Sequence, residues 1–184
     1  MEEAYILACS NGDIKSIESI LHKTYRNIYR LDIHLDNEKA LKIACKNNKL
    51  NVIDYLIKYG ESYNNRFNLR VNDDEIMKIA CRNNYIDIVK YLVKYSIKYN
   101  EPYNFNKFSS NINIIDNACK SNSVTLVKYL IGYYNFDSED SAKYIYYKML
   151  LISCEEYCFD VLRYLLYDYK NKLIHKKKID FYYI

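Results

Sequence analysis

The hydrophobic residues of the chain follow one pattern that recurs five times. Each copy contains a small residue followed by Cys, and these pairs begin at Ala8, Ala44, Ala80, Ala118 and Ser153. The spacing of about 36 residues is the length of one unit in proteins built from stacked helical repeats. Because one such unit cannot bury its own apolar face, neighbouring units are expected to pack on one another.

Two helices are predicted in each copy. After the cysteine, apolar residues lie on one face of a helix, and in the second copy they are Leu50, Ile53, Leu56 and Ile57. An apolar residue before each cysteine, such as Leu41, marks a shorter preceding helix. Each unit is therefore predicted to consist of a short helix, a tight turn, a second helix of about three turns and a polar connector.

The turn between the two helices has its own signal. Three residues after the cysteine stand Gly12, Asn48, Asn84 and Asn122. Gly and Asn tolerate the left-handed backbone that ends a helix. The fifth copy has Glu155-Glu156-Tyr157 instead, so its turn is expected to depart from the others, and its first helix is expected to be longer, from about Ser141. The Ala-Cys pairs are expected where helices approach closely, because both side chains are small.

The runs KALKIAC (residues 39–45) and NNKLNVIDYLIKYG (residues 47–60) resemble the two helices of an ankyrin repeat. The segment Asn11-Gly12-Asp13-Ile14 is similar to the inter-helix turn of that family. The resemblance covers about residues 1–168 and implies an all-α fold, an ankyrin-type solenoid of about five helix-turn-helix repeats. With its bias toward Asn, Tyr, Ile and Lys, the chain resembles the ankyrin-repeat proteins of giant viruses that infect amoebae.

The resemblance predicts repeats over residues 1–35, 36–71, 72–109, 110–140 and 141–168, followed by a basic and aromatic tail over residues 169–184. The tail is expected either to cap the last repeat by packing on Leu165 and Leu166 or to act as a short docking peptide. One departure from the family is its Thr-Pro-Leu-His opening, which is replaced in the second repeat by Lys39-Ala40-Leu41-Lys42. The hydrogen bonds that Thr and His supply at this turn are therefore expected to be missing.

The resemblance also implies a function: a non-catalytic protein-binding module, an adaptor or decoy for a host or viral protein, without a cofactor. Such arrays bind through their concave face and connector tips, which in this chain include Lys42, Lys46, Arg66, Phe67, Arg70, Lys78, Arg82, Phe105, Lys107, Phe108 and Lys120. Arginine and aromatic side chains in loops can anchor an interface. Alternatively, Phe67, Phe105 and Phe108 hold the long loops against the helices. The alternative function is a structural or virion component without a dedicated partner.

The net charge of the chain does not favour nucleic acid over a protein as the partner. The net charge of +4 and pI near 8.5 fall below the pI of about 9 that is typical of nucleic-acid-binding domains. The lysines and arginines of the first helices predict a basic line, but it is interrupted by Asp36, Glu38, Asp73, Asp74 and Glu75. Nucleic acid is therefore left as a weak alternative partner.

The chain has no apolar run of about 18 residues that would span a membrane, and it begins without the features of a signal peptide. An intracellular monomer is expected, in the cytoplasm of the host cell if the chain is viral. Reduced, buried thiols are the expected state of the recurring cysteines.

Neither a metal site nor a catalytic site is predicted. A structural zinc site needs about four converging ligands, whereas these cysteines occur about once per repeat. A cysteine nucleophile needs a neighbouring base and an accessible, electropositive setting. The three histidines, His22, His34 and His175, do not recur with the cysteines. The chain is therefore not expected to be an enzyme.

Overall fold

The computed structural model describes residues 1–25, 31–101, 103, 112–133 and 139–169. Within these ranges the chain forms ten α-helices and one short π-helix, and no β-strand. The all-α prediction is confirmed. None of the helices in the described ranges is long and apolar enough to cross a membrane.

The helices alternate between first and second helices of successive pairs. The first helices are α1 (Glu2–Asn11), α3 (Leu35–Lys46), α5 (Val71–Arg82), α7 (Ile112–Lys120) and α9 (Glu139–Glu155). The second helices are α2 (Ile14–Tyr25), α4 (Leu50–Ser62), α6 (Ile86–Lys98), α8 (Val124–Tyr133) and α10 (Phe159–Arg163), which continues as a π-helix over Tyr164–Tyr169. The longer first helix expected in the fifth copy is confirmed, since α9 has 17 residues and begins close to Ser141.

The chain forms two compact units, residues 1–80 with 87–92 and residues 81–86 with 93–184. In the first unit α1 packs on α3 and α2 packs on α4. In the second unit α7 packs on α9 and α8 packs on α10. First helices therefore lie against first helices and second against second, as in stacked helix pairs. The predicted tail falls almost entirely on residues 170–184, which lie outside the described residues.

The small-residue pairs of the first four repeats are buried. Ala44 and Cys45 are fully buried, and the Cys45 Sγ donates a hydrogen bond of 3.4 Å to the carbonyl oxygen of Ile76. The pairs at Ala8, Ala80 and Ala118 are buried as well. The expectation of buried thiols is wrong for the fifth copy, because Cys154 is exposed. No further described helix pair follows α9 and α10 to cover it.

The turns inside the helix pairs have a left-handed backbone, as predicted. The φ angle is 84° at Gly12 and 53–56° at the three asparagines. In the first two repeats the N–H of the residue after this position donates back to the first helix: Asp13 N to Ala8 O at 3.0 Å and Lys49 N to Ala44 O at 2.8 Å. The expected departure in the fifth copy is wrong, because Tyr157 has a φ of 56° and Cys158 N donates to Ser153 O at 2.8 Å. The hydrogen bond and the packing of the flanking helices impose this conformation on a residue that does not favour it.

We expect Cys45→Leu to lower the free energy of unfolding by about 1–3 kcal/mol, since the larger side chain must displace buried neighbours. The measurement is urea unfolding followed by circular dichroism. Cys45→Ala, which keeps a small side chain, is the control and should cost less than the leucine variant. A leucine variant as stable as the wild type would show that the seam is loosely packed.

We expect Tyr157→Asn to raise the free energy of unfolding by roughly 1 kcal/mol, because asparagine accepts the left-handed backbone more readily than tyrosine. Tyr157 is 75% exposed, so the substitution removes little packing. The reciprocal substitution Asn48→Tyr, at the equivalent turn of the second repeat, should lower stability by a similar amount. Thermal unfolding of both variants checks the pair, and changes of the same sign would contradict the explanation.

Candidate functional site

One polar motif recurs where the connectors enter α3 and α5, and it includes the kinked first turn of each helix. Residues 32–38 (DIHLDNE) and residues 68–74 (NLRVNDD) occupy equivalent places 36 residues apart in the second and third repeats. In both, three consecutive non-glycine residues have a left-handed backbone: Asp36, Asn37 and Glu38, and then Asn72, Asp73 and Asp74. Such residues cost about 1–2 kcal/mol each when nothing compensates them. Each turn ends in a buried carboxylate.

Glu38 links the second repeat to the next connector. Glu38 is 5% exposed, and the His34 Nδ1 lies 3.0 Å from both of its carboxylate oxygens. The backbone N–H of Asn68 donates to Glu38 Oε1 at 2.8 Å, across 30 residues of sequence. A charged acceptor makes a stronger hydrogen bond to a backbone N–H than a neutral one does. Glu38 therefore fixes the start of the motif that leads into α5.

Asp74 takes the same place in the third repeat, where Arg70 replaces the histidine. Asp74 is 2% exposed, and both of its carboxylate oxygens accept hydrogen bonds from the Arg70 guanidinium. Burial raises the pKa of Asp74, and the Arg70 charge acts in the opposite direction. In both motifs the third backbone N–H is held by the first side chain: His34 N donates to Asp32 Oδ1 and Arg70 N to Asn68 Oδ1, each at 2.9 Å.

These contacts correct one sequence interpretation. Glu38 and Asp74 were expected among the acidic residues that interrupt an exposed surface, yet both are buried. Glu38 accepts a hydrogen bond from the Asn68 backbone, and Asp74 accepts hydrogen bonds from Arg70. The available signal was the recurrence of a basic residue four positions before an acidic one, at His34 and Glu38 and again at Arg70 and Asp74.

The connector between α4 and α5 is also held by packing. Phe67 is 5% exposed, and its ring centroid lies 4.8 Å from that of His34. A Cβ atom at Gly60 would lie 2.6 Å from the Asn65 carbonyl oxygen and 3.0 Å from the Phe67 ring, so the loop returns closely over the end of α4. This geometry supports the interpretation of Phe67 as a residue that holds the loop against the helices. Phe105, Lys107 and Phe108 lie outside the described residues.

The basic residues expected to bind a partner are mostly engaged in ion pairs. In the first unit, Lys42 Nζ lies 3.5 Å from Glu75 Oε2, and Lys78 Nζ lies 2.7 Å from Asp73 Oδ2. A hydrogen bond from Asn72, together with the nearby Lys42 charge, lowers the pKa of Glu75. The exposed face of α3 and α5 in this unit therefore carries alternating charges instead of a continuous basic line.

The second unit has the same kind of pairing. Lys120 forms an ion pair with Glu156, and its ammonium group lowers the pKa of that carboxyl. Lys148 Nζ lies 3.0 Å from Asp116 Oδ2. Among the other predicted residues, Lys46, Arg66 and Arg82 are exposed, and Arg70 is about one third exposed while bound to Asp74.

The chemistry of three buried thiols does not match that of nucleophiles. Burial raises the pKa of Cys9, Cys45 and Cys119 to about 12, so these thiols hold their protons at neutral pH. Across the described ranges, no group of three or more His, Cys, Asp or Glu side chains is arranged to hold a metal ion.

Comparison with known proteins gives one match. The family model described as "Ankyrin repeats (3 copies)" matches residues 5–103, more than half of the chain. This range contains most of α1, all of α2 to α6 and both carboxylate motifs, and the match confirms the ankyrin-type fold. No curated protein and no solved structure matches the chain.

We expect Glu38→Gln to lower the free energy of unfolding by about 1–3 kcal/mol, because a buried pair of donors loses its charged acceptor. Asp36→Asn, an equivalent acid-to-amide change at an exposed ion pair two residues earlier, should cost much less, because an exposed ion pair contributes little to stability. Urea unfolding of the two variants measures the difference. Equal stability of both variants would show that the buried carboxylate does not organise the connector.

Proposed function

Because the chain belongs to the ankyrin-repeat family, we propose that it is a non-catalytic protein-binding module, an adaptor or decoy for a host or viral protein. Ankyrin repeats are in general protein-interaction modules, and the matched repeats make up more than half of this chain. The observation that carries the proposal is the anchoring of the connectors by buried carboxylates. A loop whose backbone is fixed before binding loses less conformational entropy when it meets a partner.

The proposed binding surface in the first unit has two parts. One is the connector after α4, where Arg66 is exposed beside the buried Phe67. The other is the face of α3 and α5 that carries Lys42, Lys46 and Lys78 with their acidic neighbours. In this proposal Phe67 and Arg70 hold the connector in place and do not anchor the partner. The Phe67 ring packs on His34, and the Arg70 guanidinium is hydrogen-bonded to Asp74.

In the second unit, we propose Arg82 and Lys120 as residues that contact the partner. Phe105, Lys107 and Phe108 remain proposed contact residues of the connector that lies outside the described residues.

The charge pattern supports a protein partner more than a nucleic acid. Binding to a phosphate backbone depends on lysines and arginines that release counterions. Here Lys42, Lys78 and Lys120 each have an acidic side chain within an ion-pair distance. A surface of alternating charges favours a partner surface that also carries both signs, since such complementarity selects the partner and its orientation.

The finer parts of the proposal come from composition. The bias toward Asn, Tyr, Ile and Lys resembles ankyrin-repeat proteins of amoeba-infecting giant viruses, and on that basis we propose that the module acts in the cytoplasm of a host cell.

Site-specific photo-crosslinking in cells tests the proposal. A photoreactive amino acid is placed at Lys46 or Arg66 on the proposed surface, and at Lys58 or Lys94 as matched exposed lysines on second helices. We expect a discrete, saturable protein adduct from the first two positions and none from the controls. The reason is that binding energy concentrates in a limited patch of the surface.

Adducts that form equally from all four positions, or from the control positions alone, would contradict the proposed surface. The lack of any adduct, with all variants equally helical by circular dichroism, would favour the structural role without a dedicated partner.

A further inference from the structure

The two ends of the described helix pairs differ in the positions that they leave uncovered. Within the described residues, α1 and α2 of the first repeat pack beside α3 and α4 of the second, and Tyr5, Cys9, Ile17 and Leu21 are 1% exposed or less. These positions therefore face the following repeat. The equivalent positions of the second repeat, Leu41, Cys45, Ile53 and Ile57, are buried in the same way.

The fifth repeat keeps apolar residues at these four positions, but in the described part of the chain all four are exposed or partly exposed. They are Leu150, Cys154, Leu162 and Leu166, here called the terminal face. Cys154 is exposed, Leu166 is 44% exposed, and Leu150 and Leu162 are partly exposed. Leu151 and Phe159, in the same two helices, are 58% and 66% exposed. Large contiguous apolar patches on a folded protein usually mark a contact surface.

The opposite face of the first repeat has a different composition. Ser16 stands where the second, third and fourth repeats have Val52, Ile88 and Leu126, which are fully buried. A polar residue at this position is what a solvent-facing end of an array requires. The first repeat has this adaptation, whereas the terminal face has the residues of an interior repeat.

We propose that the terminal face binds the chain's own C-terminal segment, residues 170–184, which lies outside the described residues. The segment follows Tyr169 directly and so begins four residues after Leu166. Tyr169 is 6% exposed and packs against the rings of Tyr146 and Tyr164, so the tether starts from a fixed point on the fifth repeat. Fifteen residues span at most about 50 Å, which is ample for a face on the same repeat.

The sequence of the segment suits an apolar surface. Its apolar side chains are Leu173, Ile174, Ile179, Phe181, Tyr182, Tyr183 and Ile184. A short tether gives such a segment an effective concentration near the millimolar range, which a second copy of the chain at micromolar concentration does not reach. The contact uses Leu166 and Leu162, and not Leu165, because Leu165 is already fully buried.

The Cys154 thiol reports directly on this contact. It is exposed in the described part of the chain, whereas the other five cysteines are buried. Native full-length protein is treated with a thiol-specific reagent, and the modified peptide is identified by mass spectrometry. The test variant is Ile179→Ser, Phe181→Ser and Ile184→Ser together, and the matched control is Lys176→Ser, Lys177→Ser and Lys178→Ser together.

We expect Cys154 to react at least about ten-fold more slowly in the wild type and the control than in the test variant, because the covering segment must open first. Equal rates in all three proteins would overturn the proposal. Protection that increases with protein concentration would also overturn it, since a second copy would then be the occupant.

Disulfide cross-linking is a second test, which does not depend on whether the triple variant folds. With oxidised glutathione, full-length protein carrying Tyr182→Cys should form an intramolecular disulfide to Cys154 at least about ten-fold faster than the Lys177→Cys protein, since disulfides need close Cβ atoms. Equal rates for the two variants would contradict a specific contact. This result is independent of photo-crosslinking at Arg66, so it can fail while the proposed function holds.

Discussion

The hydrogen bond from the Asn68 backbone to the Glu38 carboxylate is the interaction on which the connector between α4 and α5 depends. It joins residues 30 positions apart and fixes the backbone at Asn68, just before α5 begins. Buried carboxylates need such donors, since an ionised group without partners is costly to bury. The same motif recurs at Asp74, where Arg70 supplies the donors. These hydrogen bonds fix the backbone of the connector that carries Arg66, one of the proposed binding residues.

Much of the fold could be predicted from the sequence because repetition reveals it. Five cysteines about one repeat apart, with Gly12 and three asparagines at the turns, identify the helix pairs, since each position meets the same steric demand in every copy. The turn at Tyr157 could not be predicted, because there the backbone conformation is imposed by flanking helices and not by the residue itself. The exposure of Cys154 could not be predicted either, because it depends on whether another helix pair packs on the fifth repeat and not on the residues around the cysteine.

The candidate site was predicted less well. Charged residues were assigned to an exposed surface, but Glu38 and Asp74 are buried and Lys42 and Lys78 have ion-pair partners. Whether a charge is buried depends on partners far away in sequence, and one chain alone does not reveal them. Phe67 illustrates the same limit: a loop aromatic suits an interface anchor and a loop support equally, and only its contact with His34 and its closeness to Gly60 distinguish the two.

Native-state hydrogen exchange at the Asn68 amide tests the central claim most directly, namely that a buried carboxylate organises the connector. The account predicts that this amide is protected to a degree comparable with amides in the middle of α4, although it lies outside any helix. Amides of the exposed residues before it, such as Arg66, should exchange faster. An Asn68 amide that exchanges as fast as these neighbours would contradict the account.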